Sequence, residues 1–95
     1  GKDRKSQSRI AFEKLIEFAA HKGREIDKFS IVKEGKFYRV LNTHDHWNQS
    51  YYIDCKNDEI ISSGKDLAIG TYDDISVQRS IALKLYHELN SSKAQ

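Results

Sequence analysis

The chain predicts an α+β fold in which two helices pack on one face of an antiparallel sheet. The expected order is helix, three or four strands, helix (α-β-β-β-α with room for one extra strand). Three observations carry this expectation. Apolar residues recur at helical spacing over residues 10–19, and again over residues 77–89. Between them lie short β-branched and aromatic runs separated by turn residues. No repeat and no proline interrupts the 95 residues, which make one domain with a single small core.

Each element has its own local reason. The opening "GKDRKSQS" has no apolar residue, so residues 1–8 read as a flexible arm, with Ser6 or Ser8 placed to cap the helix that follows. Ile10, Phe12, Leu15, Ile16 and Ala19 form the buried stripe of that helix, and Lys22-Gly23 supplies its stop. "FSIV", "KFYRVLN", "SYYIDC" and "EIISS" read as strands. They are parted by Glu34-Gly35, by the polar "THDHWNQ" and by an Asn57-Asp58 hairpin turn. "DLAIG" extends the sheet or adds a strand. Asp73 or Asp74 then caps a second helix, whose ladder is Val77, Ile81, Leu85 and Leu89, widened by Ala82 and Tyr86. Asn90 ends it, so the domain covers residues 9–90 and a tail covers 91–95.

Composition narrows the function classes. There is no apolar run near the ~18 residues of a membrane span and no signal-peptide pattern. Cys55 is the single cysteine, which rules out an internal disulfide and suits a reducing, intracellular site, nuclear or cytoplasmic. The chain opens on glycine and has no methionine, which reads as a segment of a larger protein. The net charge is +2 but unevenly placed: residues 1–39 hold eleven cationic and six acidic residues, +5, and residues 40–95 hold five and eight, −3. A positive first half suits a phosphate backbone, and it equally suits a solvated charged surface.

Nothing in the sequence reads as an enzyme. The acid pairs Asp58-Glu59 and Asp73-Asp74 are neighbours in a turn and a cap, not groups converging on a pocket. Cys55 has no activating cation beside it and reads as a small core residue. His44 and His46 share a strand face and can chelate a metal as a pair, but no third ligand lies near them in sequence, so no metal or cofactor is expected.

The first helix resembles that of the double-stranded RNA-binding domains. The family's leucine, variable residue, glutamate, aromatic and alanine stand here as Leu15, Ile16, Glu17, Phe18 and Ala19, closed by Lys22-Gly23. "FYRVLN", then His44 or His46, then "YYIDC" resemble the family's first strand, loop histidine and second strand. Val77, Ile81, Ala82, Leu85 and Leu89 are similar to the apolar skeleton of its second helix. The resemblance covers about residues 8–90, and "LIEFAA" with the divergent second helix is most similar to fungal ribonuclease III and Dicer-type proteins.

The resemblance implies a non-catalytic module of a larger RNA-processing protein that binds double-stranded RNA by shape over about 16 base pairs. Glu17 would accept hydrogen bonds from ribose 2′-hydroxyls in one minor groove, with Arg9 and Lys14 on nearby phosphates. The plain alternative for Glu17 is an exposed helix carboxylate that favours the positive N-terminal dipole. His46 would reach a second minor groove, and Ser76, Gln78 and Arg79 would face the phosphates between. The chain departs from the family where three lysines open the second helix, since those places hold Asp74, Ile75 and Gln78. That departure supports a rival, a protein-interaction or dimerisation module with Tyr72, Ile75 and Trp47 as interface residues. An unrelated small α+β protein, such as an inhibitor, is a third reading.

Overall fold

A computed structural model describes residues 2–22, 30–64 and 74–93, with side chains described from residue 7 to residue 91 within those ranges. Helix α1 (Lys2–Ala20) leads into five strands: β1 (Ile31–Glu34), β2 (Phe37–His44), β3 (Ser50–Asp54), β4 (Glu59–Ser62) and β5 (Ile75–Gln78). Helix α2 (Arg79–Lys93) follows. The strands form one antiparallel meander in the order β1-β2-β3-β4-β5. The α+β order therefore holds.

The sheet alternates by face, as period-two strands must. Val40, Tyr51, Ile53, Ile60 and Val77 point to one side and bury there against Leu15, Phe18, Ala19 and Ala82 of the helices. In α1 the buried residues are Ala11, Leu15, Ile16, Phe18, Ala19 and Ala20. Ile10, Glu13, Lys14, Glu17 and His21 fall on the other side of that helix, at spacings of three and four that bring them onto one face. Ile10 and Phe12, expected in the buried stripe, stay 47% and 37% exposed. Phe18 takes the packing role instead, stacked on Tyr51 with ring centroids 4.4 Å apart.

Element ends differ from expectation in three places. Helix α1 already runs from Lys2, so Ser6 and Ser8 lie inside it rather than at its start. Helix α2 continues to Lys93, past Asn90. The third difference matters most: residues 75–78 are a strand, not the first turn of α2. The sequence Ile-Ser-Val-Gln alternates apolar and polar residues, and β5 pairs with β4 through Ile60↔Val77 and Ser62↔Ile75. Asp74 therefore precedes a strand rather than capping a helix. Val77 is buried by strand alternation, and the phase of α2 is set by Ala82, Leu85, Tyr86 and Leu89, leaving Ile81 43% exposed. Gly23, Phe29, Tyr72, Asp73 and the "DLAIG" segment lie outside the described residues.

The turns are built as their residues demand. Gly35 takes a positive φ of 62° at the first position of the two-residue β1–β2 turn, where a side chain would be strained. The Asn57-Asp58 turn is present between β3 and β4, with Asp58 at φ 54°. The Asp54 carboxylate organises it, accepting hydrogen bonds from Lys56 N (3.0 Å), Asn57 N (3.3 Å) and Asn57 Nδ2 (2.8 Å). No described helix is long and apolar enough to cross a membrane.

Candidate nucleic-acid interface

The loop between β2 and β3 is folded around Asp45. A polar residue within an otherwise apolar region must find partners, and this carboxylate, only 2% exposed, finds three. It accepts from Trp47 N at 2.9 Å, from Gln49 N at 2.8 Å and from the Ser62 hydroxyl at 2.6 Å. Main-chain bonds close the loop, Asp45 N to Gln49 O at 2.7 Å and Asn48 N to Asp45 O at 3.0 Å, with Asn48 at φ 62°. Ahead of the loop, β2 carries a register shift between Arg39 and His44, and Asn42 takes a φ of 63° there.

This loop is docked on α1 at two points. Lys14 Nζ donates to the Asp45 carbonyl at 3.4 Å, and the His46 ring hydrogen-bonds the Gln7 side-chain oxygen. The His46 ring also meets Trp47 edge-on, with centroids 5.3 Å apart. Lys14, Glu17 and His46 thus belong to one continuous surface. Arg9 lies on the same helix, 81% exposed in its side chain and 3.5 Å from Glu13. Glu17 is exposed, and its carbonyl accepts a 2.9 Å hydrogen bond from His21 Nδ1 near the end of α1.

Ser76, Gln78 and Arg79 are not part of that surface. Strand β3 starts at the loop end with Ser50 opposite His44, and finishes at Asp54 opposite Glu59. Strand β4 returns to the loop end, and β5 runs away again to Gln78, opposite Glu59. Helix α2 therefore begins about one strand length, roughly 14 Å, from the β2–β3 loop. Ser76 donates to Glu59 Oε2 at 3.2 Å, and both Ser76 and Gln78 are exposed strand residues. Arg79 N donates to the Asp58 carbonyl at 2.8 Å, and its guanidinium lies 3.7 Å from the Asp58 carboxylate. The first N–H of α2 is thus already satisfied from within the chain, which removes part of what a helix start offers to a phosphate.

Between α1, the β2–β3 region and α2 lies a cleft of about 440 Å³, lined by Lys14, Glu17, Phe18, His21, Lys22, Thr43, His44, Tyr51 and Tyr86. Its floor is aromatic, and its rim carries the charges. The Tyr51 hydroxyl is buried there without a hydrogen-bond partner among the described residues. Burial, helped by the nearby carboxylates of Asp45 and Glu17, pushes its pKa far above the ordinary tyrosine value.

No three histidine, cysteine or acidic side chains among the described residues are placed to hold one metal ion. Cys55 is exposed in the β3–β4 turn rather than packed in the core. Ile75, an interface residue in the interaction-module reading, is half-buried against the core instead. The role of Asp45 in holding the loop is not evident from the sequence. A buried aspartate before a turn carries a local signal, but its Ser62 partner, 17 residues away, does not. Compared with family models, with curated proteins and with solved structures, the chain gives no match.

Proposed function

We propose that this chain is a non-catalytic module that binds double-stranded RNA through α1 and the β2–β3 loop, as part of a larger RNA-processing protein. The observation that supports this reading best is the docking of the loop on α1, which brings His46 beside the face of Lys14 and Glu17, with Arg9 exposed elsewhere on the same helix. A cation and a carboxylate one turn apart on an exposed helix face suit a wide, shallow minor groove. Lys14 meets a phosphate there, and Glu17 accepts from a 2′-hydroxyl that DNA lacks. Ser76, Gln78 and Arg79 play no part in this version of the contact, because α2 starts at the other end of the sheet.

The test is a salt titration of binding to a duplex RNA of about 20 base pairs beside matched duplex DNA. RNA-selective binding that weakens with salt is expected, with Glu17→Ala lowering the preference for RNA over DNA. Absence of binding at low salt, or equal binding to both duplexes, overturns the reading. In that event the exposed apolar side chains Ile10 and Phe12 of α1 favour a protein-interaction module.

A further inference from the structure

We propose that the cleft beside α1 binds a single unpaired nucleotide of the RNA, its base against the aromatic floor and its phosphate at the lysine rim. The inference rests on the duplex-binding reading for its partner, and on the cleft itself for its chemistry.

Four features point to this ligand. The walls carry aromatic rings: Phe18 and Tyr51 lie buried and stacked on each other at the bottom, and half-buried Tyr86 stands above, met edge-on by His21 at 4.6 Å. A flat heterocycle gains from such surroundings whatever its sequence identity. Lys14 on α1 and Lys22, just beyond its end, both line the cleft and give it positive charge. Glu17 and His21, between them on the same side, offer an acceptor and a ring nitrogen to a sugar hydroxyl or an exocyclic amine.

The fourth feature is the Tyr51 hydroxyl. A fully buried donor with no partner is uncommon in a folded protein and calls for an explanation. Here the ring lines the cleft, and the hydroxyl has almost no exposed surface of its own. A ligand that meets it must therefore displace part of the rim, where Glu17 and Lys14 stand. A base brings ring nitrogens and carbonyl oxygens that can accept from it, whereas an aliphatic ligand brings none. An unpaired nucleotide also fits the location, since Lys14 and Glu17 belong both to the cleft and to the duplex-facing side of α1. A base stacked within a helix cannot enter a cleft, and one at a strand end or bulge can.

The experiment compares a blunt 20-base-pair RNA duplex with the same duplex carrying one unpaired 3′ nucleotide, for the native chain and for Tyr51→Phe. The overhang is expected to raise affinity about tenfold. Tyr51→Phe is expected to lose roughly fivefold of that gain and to bind the blunt duplex as before. The variant should melt at the same or a higher temperature, because it discards an unpaired buried hydroxyl. A purely structural role for Tyr51 predicts the reverse. Equal affinity for blunt and overhung duplexes overturns this inference and leaves the duplex reading standing. If neither duplex binds, the duplex reading fails, and titration with adenosine monophosphate decides the cleft separately. Shifts at Tyr51 and Tyr86 on adding millimolar nucleotide sustain it, and their absence overturns it.

Discussion

Asp45 holds more of the candidate surface in place than any residue that faces solvent there. Its carboxylate takes three hydrogen bonds, and its carbonyl takes two more, from Asn48 N and Lys14. Removing an acceptor strands its donors, and the cost is that of leaving buried groups unpaired. Asp45→Ala is expected to destabilise the fold by about 2–4 kcal/mol in urea denaturation, and Ser62→Ala by about 1 kcal/mol. A loss as small for Asp45→Ala as for Ser62→Ala would show that the loop is not organised in this way. A second carboxylate makes a pH-dependent contribution. Asp54 is held below the usual aspartate range chiefly by the Asn57 side-chain amide, with the N–H groups of Asn57 and Lys56 and the charge of Lys36 adding to it, against an opposing effect of burial. A depressed pKa favours the folded state at pH values above the unfolded one, about 3.9, and that contribution is lost as pH falls through the folded value. Urea midpoints measured from pH 7 downward should therefore fall less steeply in Asp54→Asn than in the native chain. Parallel acid limbs would refute the assignment.

At the scale of elements, the junction between β5 and α2 decides how residues 74–93 are read. As one helix from Asp74, Val77 and Ile81 would be successive rungs of a ladder, equally buried. As strand then helix they part company, since Val77 is 5% exposed and Ile81 is 43% exposed. Val77→Ala should cost about 2 kcal/mol and Ile81→Ala about 0.5 kcal/mol or less, measured by thermal or urea unfolding. Similar losses at the two sites would restore the single long helix. This junction also shows what the chain made legible. Leu15 to Ala19 and the strand runs carry their periods openly, so α1, β2, β3 and β4 and their order could be read from residues alone. Ile75 to Gln78 alternates just as clearly, but four residues of period two compete with an aspartate pair that looks like a cap and with an i+4 spacing that continues into α2. The pairing that decides between them comes from β4, 15 or so residues earlier, and local pattern cannot supply it. The same holds at the candidate surface. Lys14 and Glu17 stand out on a helix face, but the docking of Asp45 onto Lys14 bridges 31 residues.

For the molecule as a whole, the number of strands fixes which surfaces can act together. In an antiparallel meander each strand reverses the chain, so after the β2–β3 loop an even number of strands returns the chain to the loop end and an odd number leaves it at the far end. Three strands, β3, β4 and β5, follow that loop, and α2 accordingly begins beside the β3–β4 turn, where Asp58 takes up its first N–H. A contact that used α1, the loop and the start of α2 at once would need the even count. The surface that remains is α1 with its docked loop, which is smaller and carries fewer cations. Two consequences follow for RNA. Arg79→Ala should leave duplex affinity unchanged within about twofold, whereas Lys14→Gln should lower it severalfold, since only Lys14 stands on the proposed surface. With two or three phosphates neutralised, the plot of log affinity against log salt should have a slope of roughly −2 to −3, and the footprint should be shorter than the about 16 base pairs of a two-groove contact. Binding measured on duplexes of decreasing length, at two salt concentrations, tests both. A steeper slope together with dependence on Arg79 would mean that both ends of the sheet touch the RNA, as they could if the duplex wrapped the molecule rather than lying along one end of it.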